Sequence, residues 1–515
     1  MHYRKLLSNK SPILIAQNLI NAVLGLLGLF FITRLFPTAW GILSFGIGFV
    51  GVFSLVGDLG FSTAAVRAHS AGESEEDVNS TYLLVKIVLG LIFSALAISS
   101  VFVWTDVLRK GFEYTSELWV IVELVPYYFV RNLLAFPQSN FTSKLQAARM
   151  GIPSILESAI RNGLFISIGV LYYRNLINIG QGEVVYILPL IYVVSFSAYF
   201  ISSMILGRPW KFRKPSYRMF RTLAVIAIPL SLSMGLSTVN QNIDKVIIQL
   251  FWHAQATGAF YLNQRIAVIL LNFSLAISVF FIPLLTRYMK EGDMKKVNAN
   301  INDFERIAVM FILPFIIITF ILSPFILNIF NGFYKPYALV LPLLALSALF
   351  TASYQPFDSA LVAAGRAKTV AKVTIISVIL NIVLDITLIP PEIFGMSFLS
   401  MGVDGAAMAT AVASLYTTLH MRYYVGKVTG YRFRWSVLRL IVPGVIEIIF
   451  LKAVLLFVQP YPFVELVSIS LVALIIFYLF TILTGETTFS EIKEFIVNLN
   501  PLVFTKHLEN EKKGD

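Results

Sequence analysis

Twelve ionisable side chains fall inside stretches of sequence that are otherwise apolar: Asp58, Lys86, Glu123, Arg131, Glu157, Arg161, Asp244, Lys245, Arg265, Asp385, Glu447 and Lys452. A charge within a membrane span is costly, so each is a candidate for binding, ion coupling or gating. Arg265, in Gly258-Ala-Phe-Tyr-Leu-Asn-Gln-Arg-Ile, lies about two turns into its span, with no acidic residue three or four positions away. Its partner is expected from another helix or from a ligand. A guanidinium suits a phosphate because its planar fork donates two parallel hydrogen bonds. Arg131 and Arg161 are the next candidates for a cationic cavity. Glu157 and Arg161 are four apart, so they share a helix face and can pair. Asp385, Asp244, Lys245, Glu123 and Asp58 are candidates for ion coupling or gating. Asp58, in Val-Gly-Asp-Leu-Gly, also suits a helix-end role. Lys86, one turn into its span, is expected to snorkel to the membrane surface. The adjacent Asp244 and Lys245 point to different faces, and one of them can cap or kink the seventh helix.

Other chemistries find no support in the sequence. There are no cysteines among the 515 residues, which excludes disulfides, thiol catalysis and thiolate metal sites. The five histidines are scattered without metal-ligand spacing, and no Gly-x-x-x-x-Gly-Lys-Ser/Thr loop is present. No nucleophile and base are paired on a loop. The expectation is a chain that is not an enzyme and carries no metal or cofactor.

The elements that must position these charges are spans. The chain is 57% hydrophobic and 13% charged, with mean hydropathy +0.79. A soluble domain carries roughly 25% charged residues, so the composition is that of a polytopic membrane protein. The net charge of +12 fits basic cytoplasmic loops and not nucleic acid. Apolar runs of roughly 20 residues recur along the chain and give about fourteen transmembrane helices in an all-α integral membrane protein. The basic N-terminal segment is read as leading into the first span and not as a removed signal peptide.

Basic residues concentrate in alternate loops, as in Arg208-Pro-Trp-Lys-Phe-Arg-Lys-Pro-Ser-Tyr-Arg-Met-Phe-Arg221, at roughly four to one, which places both termini in the cytoplasm. Ser143-Lys-Leu-Gln-Ala-Ala148 echoes Ser359-Ala-Leu-Val-Ala-Ala364, each following a proline, Pro137 and Pro356. That spacing suggests two six-helix units in the same orientation. The expected organisation is a lobe over 1–210 (spans one to six), a basic linker over 211–221, a second lobe over 222–430 (spans seven to twelve), spans thirteen and fourteen over 431–484, and a cytoplasmic amphipathic tail over 485–515.

The most distinctive stretch runs from Asp358 to Ala413. A Gly-basic loop (Gly365, Arg366, Lys368) leads into a span carrying Asn381-x-x-x-Asp385. The span ends at Pro390-Pro391, and a small-residue segment, Gly402-Val-Asp-Gly-Ala-Ala-Met-Ala-Thr-Ala411, opens the next. Small residues let helix backbones approach closely in lipid. This pattern resembles the polysaccharide-transporter (Wzx-like) flippases of the MOP exporter superfamily. So do Arg34-Leu-Phe-Pro-Thr-Ala-Trp-Gly41 followed by Gly57-Asp-Leu-Gly-Phe61, and Asp244-Lys-Val-Ile-Ile248 followed by Ala256-Thr-Gly-Ala-Phe-Tyr261 and Arg265.

The resemblance implies a two-lobed, V-shaped MOP-type fold in the cell membrane. It implies movement of a polyprenyl-(pyro)phosphate-linked oligosaccharide from the cytoplasmic to the outer leaflet by alternating access, for surface polysaccharide or glycan assembly. Glycosyltransferases or a polymerase of the same pathway are the partner proteins it suggests. Arg265 falls where the related lipid II flippases place a cavity arginine. The first span, however, has Asn18 and Asn21 where those flippases cluster arginines, which favours another glycan. The competing readings are a MATE-like cation-coupled multidrug antiporter, which predicts a carboxylate-dominated cavity, and a membrane-embedded oligosaccharide polymerase or ligase, which needs a long outer loop.

Overall fold

The computed structural model describes residues 2–107, 111–144, 146–278, 281–393, 395–432, 439–458 and 463–488. Sixteen α-helices carry these residues: α1 (His2–Leu35), α2 (Pro37–Phe53), α3 (Leu55–Asp58), α4 (Phe61–Ser70), α5 (Glu75–Phe102), α6 (Thr115–Ser143), α7 (Ala147–Tyr173), α8 (Gln181–Leu206), α9 (Tyr217–Ser278), α10 (Phe281–Lys290), α11 (Met294–Phe330), α12 (Val340–Ala363), α13 (Ala367–Leu388), α14 (Gly402–Thr429), α15 (Ile441–Phe457) and α16 (Phe463–Leu483). The only strands among the described residues are a two-residue antiparallel pair, Glu392–Ile393 with Met396–Ser397, between α13 and α14. From Phe489 onward, the amphipathic tail expected over 485–515 lies outside the described residues.

Nine helices among the described residues are long and apolar enough to cross a membrane, or up to eleven when bent pairs are counted as single spans. Fourteen spans are therefore not confirmed by length and composition. α15 is 17 residues long, and the alanine-rich sequence of α14 packs through small side chains and carries little hydropathy.

One expected span is corrected, and one expected kink is relocated. The second span is not one helix. It breaks after Phe53 and again at Leu59 (φ 45) and Gly60 (φ 82), and its halves bend by 43°. The seventh and eighth spans are two helices joined within the 62 residues of α9. At 1.5 Å per residue a straight helix of that length would reach about 93 Å, roughly three times a bilayer core. The break falls at His253 (φ 71, ψ 169) and not at Asp244-Lys245.

The chain forms two compact units, meeting in sequence at Gly258/Ala259. The unit Ala16–Gly258 has an interior rich in aromatic side chains, with Trp40, Tyr82, Phe93, Phe136 and Phe165 all essentially buried. The basic segment after α8 is fixed to this unit. Arg213 N donates to Ser80 Oγ (2.6 Å), Ser216 N to Thr81 Oγ1 (3.2 Å) and Asn79 Nδ2 to Lys211 O (3.2 Å). The Trp210 and Phe212 rings lie 5.0 and 6.0 Å from Phe136.

In the unit that begins at Ala259, the small-residue segment of α14 does what its composition suggests. A β-carbon at Gly405 would stand 2.9 Å from the backbone carbonyl of Leu388 on α13, and Ala406, Ala407 and Ala409 are fully buried. Farther along, Thr417 Oγ1 donates to Ser377 Oγ (2.7 Å), and Ser377 Oγ donates to Ala413 O (2.9 Å). α14 is tied to α11 by polar groups: Arg422 pairs with the buried Glu305, and Tyr431 donates to the same carboxylate (2.9 Å). Burial, with the Glu305 carboxylate alongside, pushes the Tyr431 phenol well above its usual pKa, so it remains a donor.

Candidate functional site

In the unit Ala16–Gly258, α1, α6, α7 and α8 converge on a polar seam. Gln17 Nε2 and Asn21 Nδ2, both from α1, each donate to Ser154 Oγ on α7 at 3.0 Å. One turn along α7, Arg161 Nε donates to Glu157 Oε1 (2.6 Å), and Arg161 Nη1 reaches Asn162 Oδ1 (3.3 Å). The i,i+4 pairing expected from sequence is present. Glu157 is buried, whereas Arg161 is half-buried and lies 5.5 Å from the Tyr192 ring of α8. Tyr192 meets Tyr127 of α6 edge-on at 5.3 Å, and Tyr127 meets Tyr128 at 4.8 Å. Arg131 is exposed, lies 5.6 Å from the Tyr128 ring, and approaches Tyr127 Oη (3.4 Å).

Three tyrosines therefore connect the two arginines. Each guanidinium rests against an aromatic face, which orients its N–H groups. A surface of this kind offers forked cationic donors for phosphate oxygens and flat rings for the apolar faces of sugars. The tyrosines carry no sequence signal in a chain that is 14% aromatic.

The remaining candidates in this unit are placed separately. Lys86 does not snorkel: it is 1% exposed. It pairs with Asp58 and donates to Asn132 Oδ1 (3.0 Å) and Gly57 O (3.2 Å). Asp58 also accepts from the Ser62 backbone N–H and hydroxyl, and so caps α4 across the break in the second span. That break swings the carboxylate into reach of a lysine 28 residues away, which spacing alone does not reveal. Asp244 and Lys245 on α9 are both buried, and Lys245 Nζ donates to Gln241 O (2.7 Å). Gly48 on α2 makes room for Lys245, since a β-carbon there would lie 2.6 Å from Lys245 Cβ. Glu123, on α6, is half-buried, and its Oε2 accepts no hydrogen bond from the described residues.

Sequence reasoning missed a further cluster beside the His253 break. Glu113 Oε2 accepts from Ala254 N (2.9 Å) and lies 3.7 Å from His253 Nδ1. Gln249 Nε2 donates to Glu117 Oε1 (3.0 Å) while Thr257 Oγ1 donates to Gln249 Oε1 (2.9 Å).

Arg265 and Asp385 belong to the other unit. Arg265 is half-buried, and its guanidinium lies 5.0 Å from the ring of Tyr261, one turn earlier on α9. A search for acidic neighbours overlooks that tyrosine. Asp385 is fully buried on α13, one turn beyond the buried Asn381. Among the described residues no group of three or more His, Cys, Asp or Glu side chains could hold a metal ion.

Exchanging the residues of the Glu157–Arg161 pair provides a direct test. Glu157→Arg with Arg161→Glu keeps a same-face ion pair but moves the guanidinium one turn away from Tyr192. The expected result is a melting temperature within a few degrees of the parent, because neither charge is left buried without its partner, with activity at least tenfold lower. A swap with the parental activity would reduce the pair to a structural role.

Comparison with known proteins follows this geometry. A family model described as polysaccharide biosynthesis protein matches residues 7–289, more than half of the chain, and a MatE model matches residues 229–387. The probable low-salt glycan biosynthesis flippase Agl15 of Haloferax volcanii is 24% identical over 194 residues. That match spans 38% of this chain and 39% of the relative, well under two thirds of its length. The uncharacterized membrane protein EpsK of Bacillus subtilis is 23% identical over 384 residues, 72% of each chain. Among solved structures, the lipid II flippase MurJ in an inward closed conformation superposes with a TM-score of 0.69 at 18% identity, covering 91% of this chain and 98% of that one. An inward-facing multidrug resistance MATE family transporter of the MOP superfamily gives 0.64 at 14% identity, covering 82% and 99%. At these identities the structural likeness establishes the two-lobe MOP fold.

Proposed function

Since the chain belongs to the polysaccharide biosynthesis protein family of the MOP superfamily, we propose that it is a flippase moving a polyprenyl-(pyro)phosphate-linked oligosaccharide from the cytoplasmic to the outer leaflet. The chain is a multi-pass membrane protein. In this reading it sits in the cell membrane with both termini in the cytoplasm. Its two six-helix lobes, 1–210 and 222–430, alternate access to a cavity between leaflets.

The observation that carries the reading is the seam of Arg131, Arg161, Glu157 and three tyrosines inside a membrane-embedded unit. A hydrophilic glycan does not cross about 30 Å of hydrocarbon unaided. Guanidiniums that hold diphosphate oxygens, with rings against which sugars stack, lower that barrier while the prenyl chain stays in lipid. Arg265, in the other unit, is a further candidate cation for an anionic substrate. Asp385, Asp244, Lys245, Glu123 and Asp58 are the residues through which a conformational cycle would be coupled or gated. The work asks for no cofactor and no covalent chemistry of the protein. Its partners are the lipid-linked substrate, the bilayer and the glycosyltransferases or polymerase that make and consume that substrate.

The test is the lipid-linked glycan pool of cells depleted of the protein, with the leaflets resolved by an impermeant glycosidase. Accumulation on the cytoplasmic face is expected, and its mass identifies the cargo. One specific observation favours a second reading, cation-coupled antiport: the MatE match over residues 229–387 includes the buried Asp385. An unchanged glycan pool together with new drug sensitivity would select it.

A further inference from the structure

Helices α15 and α16 lie outside the two expected six-helix lobes, and together with α11 they form a separate packing group. Its interior is apolar: Ile317, Ile318 and Leu322 from α11, Leu451 from α15, and Leu466 and Ala473 from α16. Gly444 lets α15 approach α11, with the position of a β-carbon only 3.1 Å from Ile317 Cδ1. One residue breaks the pattern. Glu447 is 0% exposed, and neither of its carboxyl oxygens has a hydrogen-bond partner among the described residues. Gly444 and Leu451 stand three positions before and four after it, both buried, so the carboxyl lies on the inward face of α15.

The groups around it are few. α16 contributes Tyr478, the titratable side chain within electrostatic reach of Glu447. α11 presents leucine and isoleucine over this stretch, and its charged Glu305 and Arg306 lie near its start. On α15 itself, Lys452 is exposed. The nearest charged cluster closes one end of the three helices, where Arg439 Nη1 meets Glu486 Oε1 (3.2 Å) and Arg306 Nη1 donates to Glu486 O. Glu447 is eight residues beyond Arg439, roughly 12 Å along the axis at 1.5 Å per residue. A carboxylate with no compensating donor is the least tolerable state in such surroundings, while the neutral acid is tolerated.

We propose that Glu447 is a proton-binding site through which a proton gradient drives the transport cycle. In the conformation described here one carboxyl oxygen carries the proton. When the three-helix group opens, that O–H bond breaks and the proton passes to water at the Arg439–Glu486 end, and a proton taken up from the opposite side restores the acid. The coupling to transport rests on the flippase reading above, whereas the proton-binding site itself does not.

Two measurements on the full-length protein separate them. The first is reaction with dicyclohexylcarbodiimide, a hydrophobic reagent that modifies protonated carboxyls in apolar surroundings. An adduct on the peptide containing Glu447 at neutral pH, absent from Glu447→Gln, is expected; no adduct in the wild-type protein overturns the proposal. The second is movement of a fluorescent polyprenyl diphosphate across proteoliposome membranes with and without an imposed pH gradient. The ratio of the two rates is expected to be severalfold in the wild type and to fall to one in Glu447→Gln and Glu447→Leu. A wild-type ratio of one, or a ratio retained in both variants, overturns the coupling. Should the wild type move no probe at all, the flippase reading fails, and the carbodiimide result alone decides whether Glu447 binds a proton.

Discussion

Replacing Lys86 with methionine should destabilise the unit Ala16–Gly258 by about 3–5 kcal/mol, the usual consequence of removing one partner from a buried ion pair. The ammonium is 1% exposed and serves three acceptors at once: the Asp58 carboxylate, Asn132 Oδ1 and Gly57 O. Without it, Asp58 keeps the Ser62 N–H and hydroxyl, but its half-buried carboxylate loses its counter-charge. Against a total stability of roughly 5–15 kcal/mol, a loss of that size should lower the melting temperature and the level of folded protein in the membrane fraction. Adding Asp58→Asn removes the stranded charge and should recover at least half of the loss, a coupling that a double-mutant cycle measures directly. A single variant that melts within a degree of wild type would show the pair to be energetically silent.

Arg265→Ala should slow transport by about thirtyfold or more, while leaving the melting temperature and membrane level close to wild type. One contact within the protein and one expected with the substrate set the contrast. Within the protein it lies over the Tyr261 ring, an interaction worth about 0.5–2 kcal/mol. Against a diphosphate in a water-poor cavity it would make charge-assisted, forked hydrogen bonds whose loss costs about 2–5 kcal/mol, and 2.7 kcal/mol is already a factor of a hundred. Arg265→Lys tells charge from geometry, because an ammonium keeps the charge and loses the fork; a partial rate is expected. Full transport by the alanine variant would remove Arg265 from the site.

What the sequence made legible was what depends on short spacing. Glu157 and Arg161 could be paired on paper because four residues bring side chains onto one helix face. The tight approach of α13 and α14 could be read from glycine and alanine density alone. Contacts that depend on a break in a helix, or on separation along the chain, could not be seen. Lys86 was misjudged because its partner becomes reachable only after the chain turns at Leu59 and Gly60. The Glu305–Arg422–Tyr431 tie joins residues more than a hundred positions apart. The tyrosines beneath Arg131 and Arg161 were hidden by their very commonness. The count of fourteen spans is not confirmed by length and hydropathy, which reward bulk, whereas α14 packs by lacking it.

His253 adds a quantity that no list of contacts contains. Its backbone (φ 71, ψ 169) lies in a region that side chains with a β-carbon rarely occupy, at an expense of about 1–3 kcal/mol. Glu113, accepting from the next residue's N–H, holds it there. That strain is of the same order as the few kcal/mol by which alternative states of one protein commonly differ.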